Sequence, residues 1–142
     1  MKKLIDMDTE FGARSAKRLR EDMIAWLITA GSDGTPQPNP VWFAWDGASL
    51  LIYSEPGQAK LKHIARNPRV AVHLDSRNSG DDVVIITGTA AVDSTAPRAD
   101  QNSEYVRKYR DEMVRLNLGS PADVAAIYSA AIRVTPTRVR GF

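Results

Sequence analysis

The first regular pattern in the chain is helical. From Thr9 to about Asp22, Phe11, Ala16 and Leu19 share one side, and Arg14, Lys17, Arg18 and Arg20 occupy the other. Thr9 suits the cap and Glu10 the positive end of such a helix. Its basic side reads as a solvated face. The period then changes. Met23 to Ala30 is rich in Ile, Leu, Trp and Thr without charge, and Asp33-Gly34 closes it with a turn, which predicts a strand entering a hairpin. Gln37 to Trp45 reads as the returning strand, and Asp46-Gly47 as a tight turn into a third strand, Ala48 to Ser54. Three strands in series predict a meander.

Pro56-Gly57 ends that strand, and Gln58 to Asn67 has helical spacing, with Leu61, Ile64 and Ala65 inward and Lys60, Lys62, His63 and Arg66 around the rim. Pro68 stops the helix. Arg69 to Asp75 is a fourth strand, and Ser76 to Asp82 a polar loop. Asp82 to Val92 is a fifth strand in which Gly88 marks a bulge or a close approach. Helical spacing returns after Pro97 and runs to about Leu118, carried by Val106, Tyr109, Met113 and Leu116, with Glu104 and Lys108 as an i,i+4 pair. Ser120-Pro121 starts a short helix to about Ser129, and Ala130 to Val139 is a sixth strand. A doubly wound parallel sheet needs a crossover helix after nearly every strand, and these are missing. The expectation is a mainly β, α+β domain spanning 1–142: a six-stranded antiparallel barrel with peripheral helices, an N-terminal helix at about 9–22 and a helical insertion at about 98–129.

Composition narrows the function. A chain of 142 residues, 43% hydrophobic and 25% charged, has room for one domain with a real core. Nineteen Lys and Arg against seventeen Asp and Glu leave +2, a weak argument for nucleic acid. A nucleic-acid-binding barrel also needs exposed aromatics interleaved with basic residues, and here the aromatics sit in apolar strands. The absence of cysteine excludes disulfides and thiolate sites and suits a reducing compartment. Met1-Lys2-Lys3 is followed by Asp6, Asp8 and Glu10, which interrupt any signal-like apolar stretch, and no uncharged run is long enough to span a membrane. A cytoplasmic protein with no membrane partner is expected.

No self-sufficient catalytic set is present. His63 and His73 are the only histidines, and no metal-ligand or hydrolase-triad spacing occurs, so an enzyme built on this chain needs a cofactor. His73, alternating within a strand, reads as a half-buried, hydrogen-bonded side chain. Two segments carry more information. In Gln37-Pro38-Asn39-Pro40-Val41-Trp42-Phe43, both prolines lack the N–H on the same strand edge. That edge either meets something other than a strand, such as a planar ligand, or is protected against aggregation. In Tyr53-Ser54-Glu55-Pro56-Gly57-Gln58-Ala59-Lys60, a strand ending in a hydroxyl passes through Pro-Gly to a helix start followed at once by a lysine. This suits a phosphate, with Lys62, His63 and Arg66 adding positive potential, although strand-to-helix turns bearing a lysine also occur without one.

Taken in order, Phe11-Gly12-Ala13-Arg14, Arg18-Leu19-Arg20, Trp26-Leu27, Gly34-Thr35-Pro36-Gln37-Pro38, Val41-Trp42-Phe43, Trp45-Asp46-Gly47, Ile52-Tyr53-Ser54, Lys60-Leu61, Asn67-Pro68-Arg69-Val70 and Gly88-Thr89-Ala90 resemble the pyridoxamine 5′-phosphate oxidase-like split-barrel family. Within it, the chain is most similar to the actinobacterial branch of coenzyme F420 (deazaflavin) dependent oxidoreductases. The resemblance implies a homodimer of six-stranded split barrels with a flavin-like cofactor in each of two grooves between protomers. It assigns Ser54, Gln58, Ala59 and Lys60 to the phosphate and Asn39, Pro40, Val41 and Trp42 to the ring and its linker.

Mononucleotide-dependent members of the superfamily carry an arginine and a lysine where this chain has Asn39 and Ala44, and an arginine where it has Ala59. Their absence weakens an FMN reading and favours F420, whose single bridging phosphate and acidic tail suit Lys60, Lys62 and Arg66. The activity expected from the resemblance is hydride transfer between reduced F420 and an unsaturated or conjugated small molecule. Trp42, Trp45 or Tyr53 would serve as stacking walls, and Tyr53, His63 or solvent would supply any proton. The alternatives are an FMN-dependent oxidase-like enzyme and a carrier that binds flavin, deazaflavin or haem without turnover.

Overall fold

The computed structural model describes residues 3–77 and 79–142. Met1 and Lys2 of the basic start, and Asn78 of the loop expected over 76–82, lie outside the described residues. In chain order the elements are α1 (Glu10–Glu21), β1 (Ala25–Ala30), β2 (Pro36–Val41), β3 (Ala44–Trp45), β4 (Leu50–Ser54), α2 (Ala59–Arg66), β5 (Arg69–Leu74), β6 (Val84–Val92), a 3-10 turn (Ala99–Gln101), α3 (Ser103–Arg115), α4 (Pro121–Ile127) and β7 (Ala130–Gly141). No helix of the described residues is long and apolar enough to cross a membrane.

All strand pairs are antiparallel, in the order β2-β1-β5-β6-β7-β4-β3. The barrel and its peripheral helices are as expected, with seven strands instead of six. The extra strand arises because the stretch expected as one strand from Gln37 to Trp45 breaks at Trp42-Phe43, and this break also removes the meander. β2 pairs with β1 at one edge of the sheet, β3 with β4 at the other. Val41 and Ala44 are three residues apart, so their Cα atoms lie within about 11 Å of each other. The two edges of the sheet are therefore drawn together, and the sheet curls into a barrel whose seam stays unpaired.

Backbone groups at such a seam need partners from elsewhere. At Phe43 they come from α3: the Tyr109 hydroxyl accepts from the Phe43 N–H at 2.9 Å and donates to the Met23 carbonyl at 2.8 Å. The prolines of β2 fit this placement. Pro36, Pro38 and Pro40 sit opposite Ala30, Ile28 and Trp26, leaving Gln37, Asn39 and Val41 to supply N–H groups, so a strand with one neighbour loses nothing. Gly88 is both the bulge and the close approach anticipated for it. The β6–β7 register shifts there, and a Cβ would run into the Thr135 carbonyl oxygen and Pro136 Cα.

Inside the barrel Leu27, Phe43, Trp45, Leu50, Ile52, Val72, Val84, Ile86, Ile132 and Val134 form one apolar core. A second core lies outside it, under α3 and α4, built from Ala44, Leu51, Tyr53, Ala99, Tyr105, Tyr109, Met113, Val124, Ala125 and Ala131. β4 is buried on both faces for this reason, Leu50 and Ile52 facing the barrel and Leu51 and Tyr53 the shell.

Two expectations about charge are corrected. The basic side of α1 is not simply solvated: Arg18 is buried, ion-paired with Asp22 at 2.6 Å, and donates to the Asp75 and Asp82 carbonyls, while Arg14 pairs with Asp82. These arginines hold the 75–82 loop against the helix. Lys108 does not pair with Glu104, which Arg107 takes at 2.8 Å. Its ammonium donates instead to the Asp22 carbonyl at 2.9 Å and lies 3.5 Å over the Phe43 ring.

Candidate functional site

A cavity of about 350 Å³ opens where the end of β2, the end of β4, the start of α2 and the helical insertion meet. Its lining includes Pro40, Val41, Trp42, Tyr53, Ser54, Gln58 and Lys60, so two sequence segments read separately above converge on one space. Topology does this. The strand break at Trp42-Phe43 carries the chain from one sheet edge to the other, and β4 then delivers Ser54 and α2 beside the place where β2 ended.

The phosphate-like end is built from local causes. Gly57 adopts φ 83°, which a Pro-Gly turn accommodates without strain, and the chain enters α2 immediately afterwards. Thr9, Asn102 and Ser120 cap α1, α3 and α4 through their side chains, whereas Gln58 makes no such bond at α2. Among the described residues nothing accepts from the N–H groups of Ala59 and Lys60, so the positive end of α2 is open. Lys60 is partly buried beside it; burial pulls its pKa down, and the Glu55 carboxylate pulls it partly back. The Ser54 hydroxyl, from a buried residue, donates to the Glu55 carbonyl at 2.9 Å.

The opposite wall is aromatic. Trp42 stacks on Tyr109 with centroids 4.4 Å apart and rings within 2° of parallel, and Tyr105 packs edge-on to Tyr53 at 4.8 Å. The Tyr53 hydroxyl is already engaged, donating to the Pro97 carbonyl at 2.8 Å and accepting from the Asn102 amide at 3.1 Å, and burial raises its pKa. It is a poor proton source. His63 is also directed elsewhere, its Nδ1 lying 2.9 Å from the Thr29 hydroxyl on β1. Trp45 points into the barrel core, which leaves Trp42 as the stacking wall among the tryptophans. His73 is half-buried, bonded to the Leu74 carbonyl and stacked on Trp26, as read from its strand position.

Asn39, Ala59, Lys62 and Arg66 do not line the cavity. Lys62 and Arg66 are one helical turn apart and both exposed, on a face of α2 turned away from Lys60. The cavity also contains residues that the sequence reading passed over: Glu55, Tyr105, Leu116, Leu118, Val124 and Tyr128. Tyr105 and Tyr109, at i and i+4, carried a usable signal as an aromatic stripe on α3. Nothing local tied α4 to β4.

The family model for pyridoxamine 5′-phosphate oxidase matches residues 12–142. The chain belongs to this family. No curated protein matches it in sequence. Among solved structures, an F420 reductase is 26% identical, with 87% of this chain and 94% of that one covered and a TM-score of 0.60. A conserved hypothetical protein of Mycobacterium tuberculosis, 23% identical, covers 99% of this chain and 87% of its own length at a TM-score of 0.70. An FAD-binding protein of Mesorhizobium loti is 20% identical over 89% and 88% of the two chains, with a TM-score of 0.63. The last two establish a shared fold. Together with the family match, the similarity to the F420 reductase places this member of the pyridoxamine 5′-phosphate oxidase family among flavin-type oxidoreductases.

Proposed function

We propose that this protein is an F420-dependent oxidoreductase that holds the deazaflavin in the cavity at the end of β2 and moves hydride between it and a conjugated small molecule. The observation that carries the reading is charge at the phosphate-like end: Lys60 is the one cation lining the cavity among the described residues, and Glu55 stands beside it. A phosphomonoester such as that of FMN carries about −1.5 to −2 and calls for several basic partners. A bridging diester carries one charge, which Lys60 and the two open N–H groups of α2 match. The apolar wall of Val41, Trp42, Tyr105 and Leu118 suits a planar ring, and the volume lies within the ordinary range for small-molecule sites, roughly 300–1,000 Å³.

When bound, the cofactor supplies the hydride. The chain's own contribution is placement and dryness: Lys60 and Ser54 hold one end, the Trp42 wall orients the ring, and α3 and α4 keep bulk water off it. Lys62 and Arg66 reach an acidic tail in this reading only where it leaves the cavity around α2. The reading includes a homodimer, supported by the outer face of β1, β5 and β6, where Ile28, Ala71 and Ile85 are only partly covered within one chain.

Fluorescence titration of the purified chain with F420 and with FMN in one buffer, with light scattering for its mass, tests the assignment. F420 is expected to bind more tightly, with affinity falling as salt rises, and Lys60→Ala to weaken it roughly 10- to 100-fold, as for a lost charge-assisted hydrogen bond. Oxidation of reduced F420 on adding an acceptor separates an enzyme from a carrier. FMN binding equal to or tighter than F420 overturns the deazaflavin assignment.

A further inference from the structure

Three tyrosines meet in the shell around the cavity, and their hydroxyls have different fates. That of Tyr109 closes the barrel seam at Phe43 and Met23. That of Tyr53 is shared between Pro97 and Asn102. Tyr105 is buried as well, at 2% exposure, yet among the described residues its hydroxyl has no hydrogen-bond partner. A buried phenol ordinarily finds one, because leaving it unpaired is unfavourable. Among the described residues the Tyr105 oxygen is not one of the fully sealed side-chain atoms left without a hydrogen bond, as Ser15 Oγ is, so it keeps access to the space its residue lines. The ring itself is fixed by Tyr53 at 4.8 Å and Tyr109 at 4.9 Å, so the hydroxyl is held in place.

We infer that the Tyr105 hydroxyl is a ligand contact: it donates a hydrogen bond to an acceptor oxygen on the planar molecule that occupies the cavity, and so selects ring systems bearing a carbonyl-type oxygen over plain hydrocarbons of the same shape. Burial raises the phenol's pKa above its ordinary value, with Tyr109, Tyr53 and Tyr128 adding to the effect, so it stays protonated and acts as a donor. A site that presents a buried donor rejects ligands that leave it unpaired. The inference rests on the proposed function only in taking this cavity as the binding site.

The test uses 1,4-naphthoquinone and naphthalene, two bicyclic probes of similar outline of which only the first carries oxygens. Their binding is read by tryptophan quenching in the wild-type chain, in Tyr105→Phe and in Tyr53→Phe, each checked by thermal unfolding. Tyr105→Phe is expected to weaken naphthoquinone roughly 3- to 10-fold, the worth of one hydrogen bond, with naphthalene within twofold and the melting temperature not lowered. Tyr53→Phe is expected to melt earlier without a quinone-specific loss. Equal quinone binding in wild type and Tyr105→Phe, equal loss of both probes, failure of the wild type to bind the quinone, or a Tyr105→Phe chain that melts several degrees earlier overturns the inference. Failure of F420 oxidation leaves this contact standing, and failure of the quinone discrimination leaves the redox reading standing.

Discussion

The barrel interior and the shell outside it are both buried, but they are made of different material. The interior is almost entirely aliphatic, with Leu27, Ile52, Val72, Ile86, Ile132 and Val134 interdigitating across the sheet. The shell mixes three tyrosines with alanines and Met113. Aliphatic side chains fill space and impose no direction, which suits a core whose task is to hold seven strands together. Phenols fill space and also carry a polar end that must be satisfied, so a shell of tyrosines specifies where α3 sits and leaves one polar end free to face a ligand. In the reading proposed above, stability and recognition are housed in separate layers sharing β4.

The separation can be broken most forcefully from inside. Ile132 is fully buried in the barrel, and Ile132→Ala is expected to destabilise the fold by about 2–5 kcal/mol while the folded fraction keeps its cofactor affinity. The urea midpoint, read at unchanged slope, measures this. A smaller effect is expected at the boundary between the layers. Tyr109→Phe leaves the Phe43 N–H and the Met23 carbonyl without their partner, and a loss of about 1–3 kcal/mol should follow, again by urea unfolding. If that substitution were neutral, the seam would not depend on α3.

The smallest effect sharpens the comparison through pH. Burial between α1 and α3 draws Lys108 down to about 7, with Asp22 and Glu104 pulling up and Arg107 pulling down. In the unfolded chain a lysine titrates at about 10.4, so between these values the unfolded state binds more protons and stability rises with pH. Below about pH 7 both states are protonated and this contribution is flat. Unfolding free energies of the wild type and Lys108→Met between pH 6 and 8 should therefore diverge above pH 7, the wild type rising by at most about 1.4 kcal/mol per pH unit more than the variant. Parallel curves would place Lys108 in water.

Much of this molecule is readable along the chain. The cap at Thr9, the Pro-Gly turn into α2, the Ser120-Pro121 start of α4 and the bulge at Gly88 each depend on a few adjacent residues whose backbone preferences act locally, and each was found where expected. The likeness of ordered short motifs to a split-barrel family was equally legible, and the family match agrees with it. The seam was not. Val41 to Trp45 is an unbroken apolar run with no turn residue in it, and no local preference says that Trp42-Phe43 should leave one sheet edge for the other; closure of the sheet decides it. The same holds for Arg18, which looks like any surface arginine until the 75–82 loop folds over it, and for Lys62 and Arg66, which share Lys60's helix but not its face. Tyr105 shows the limit most clearly. Its helical spacing with Tyr109 marks it as buried, but whether a buried hydroxyl finds a partner depends on atoms brought from β3, β4 and the 93–102 segment. Local conformation follows from neighbours in sequence, and the satisfaction of polar groups follows from neighbours in space.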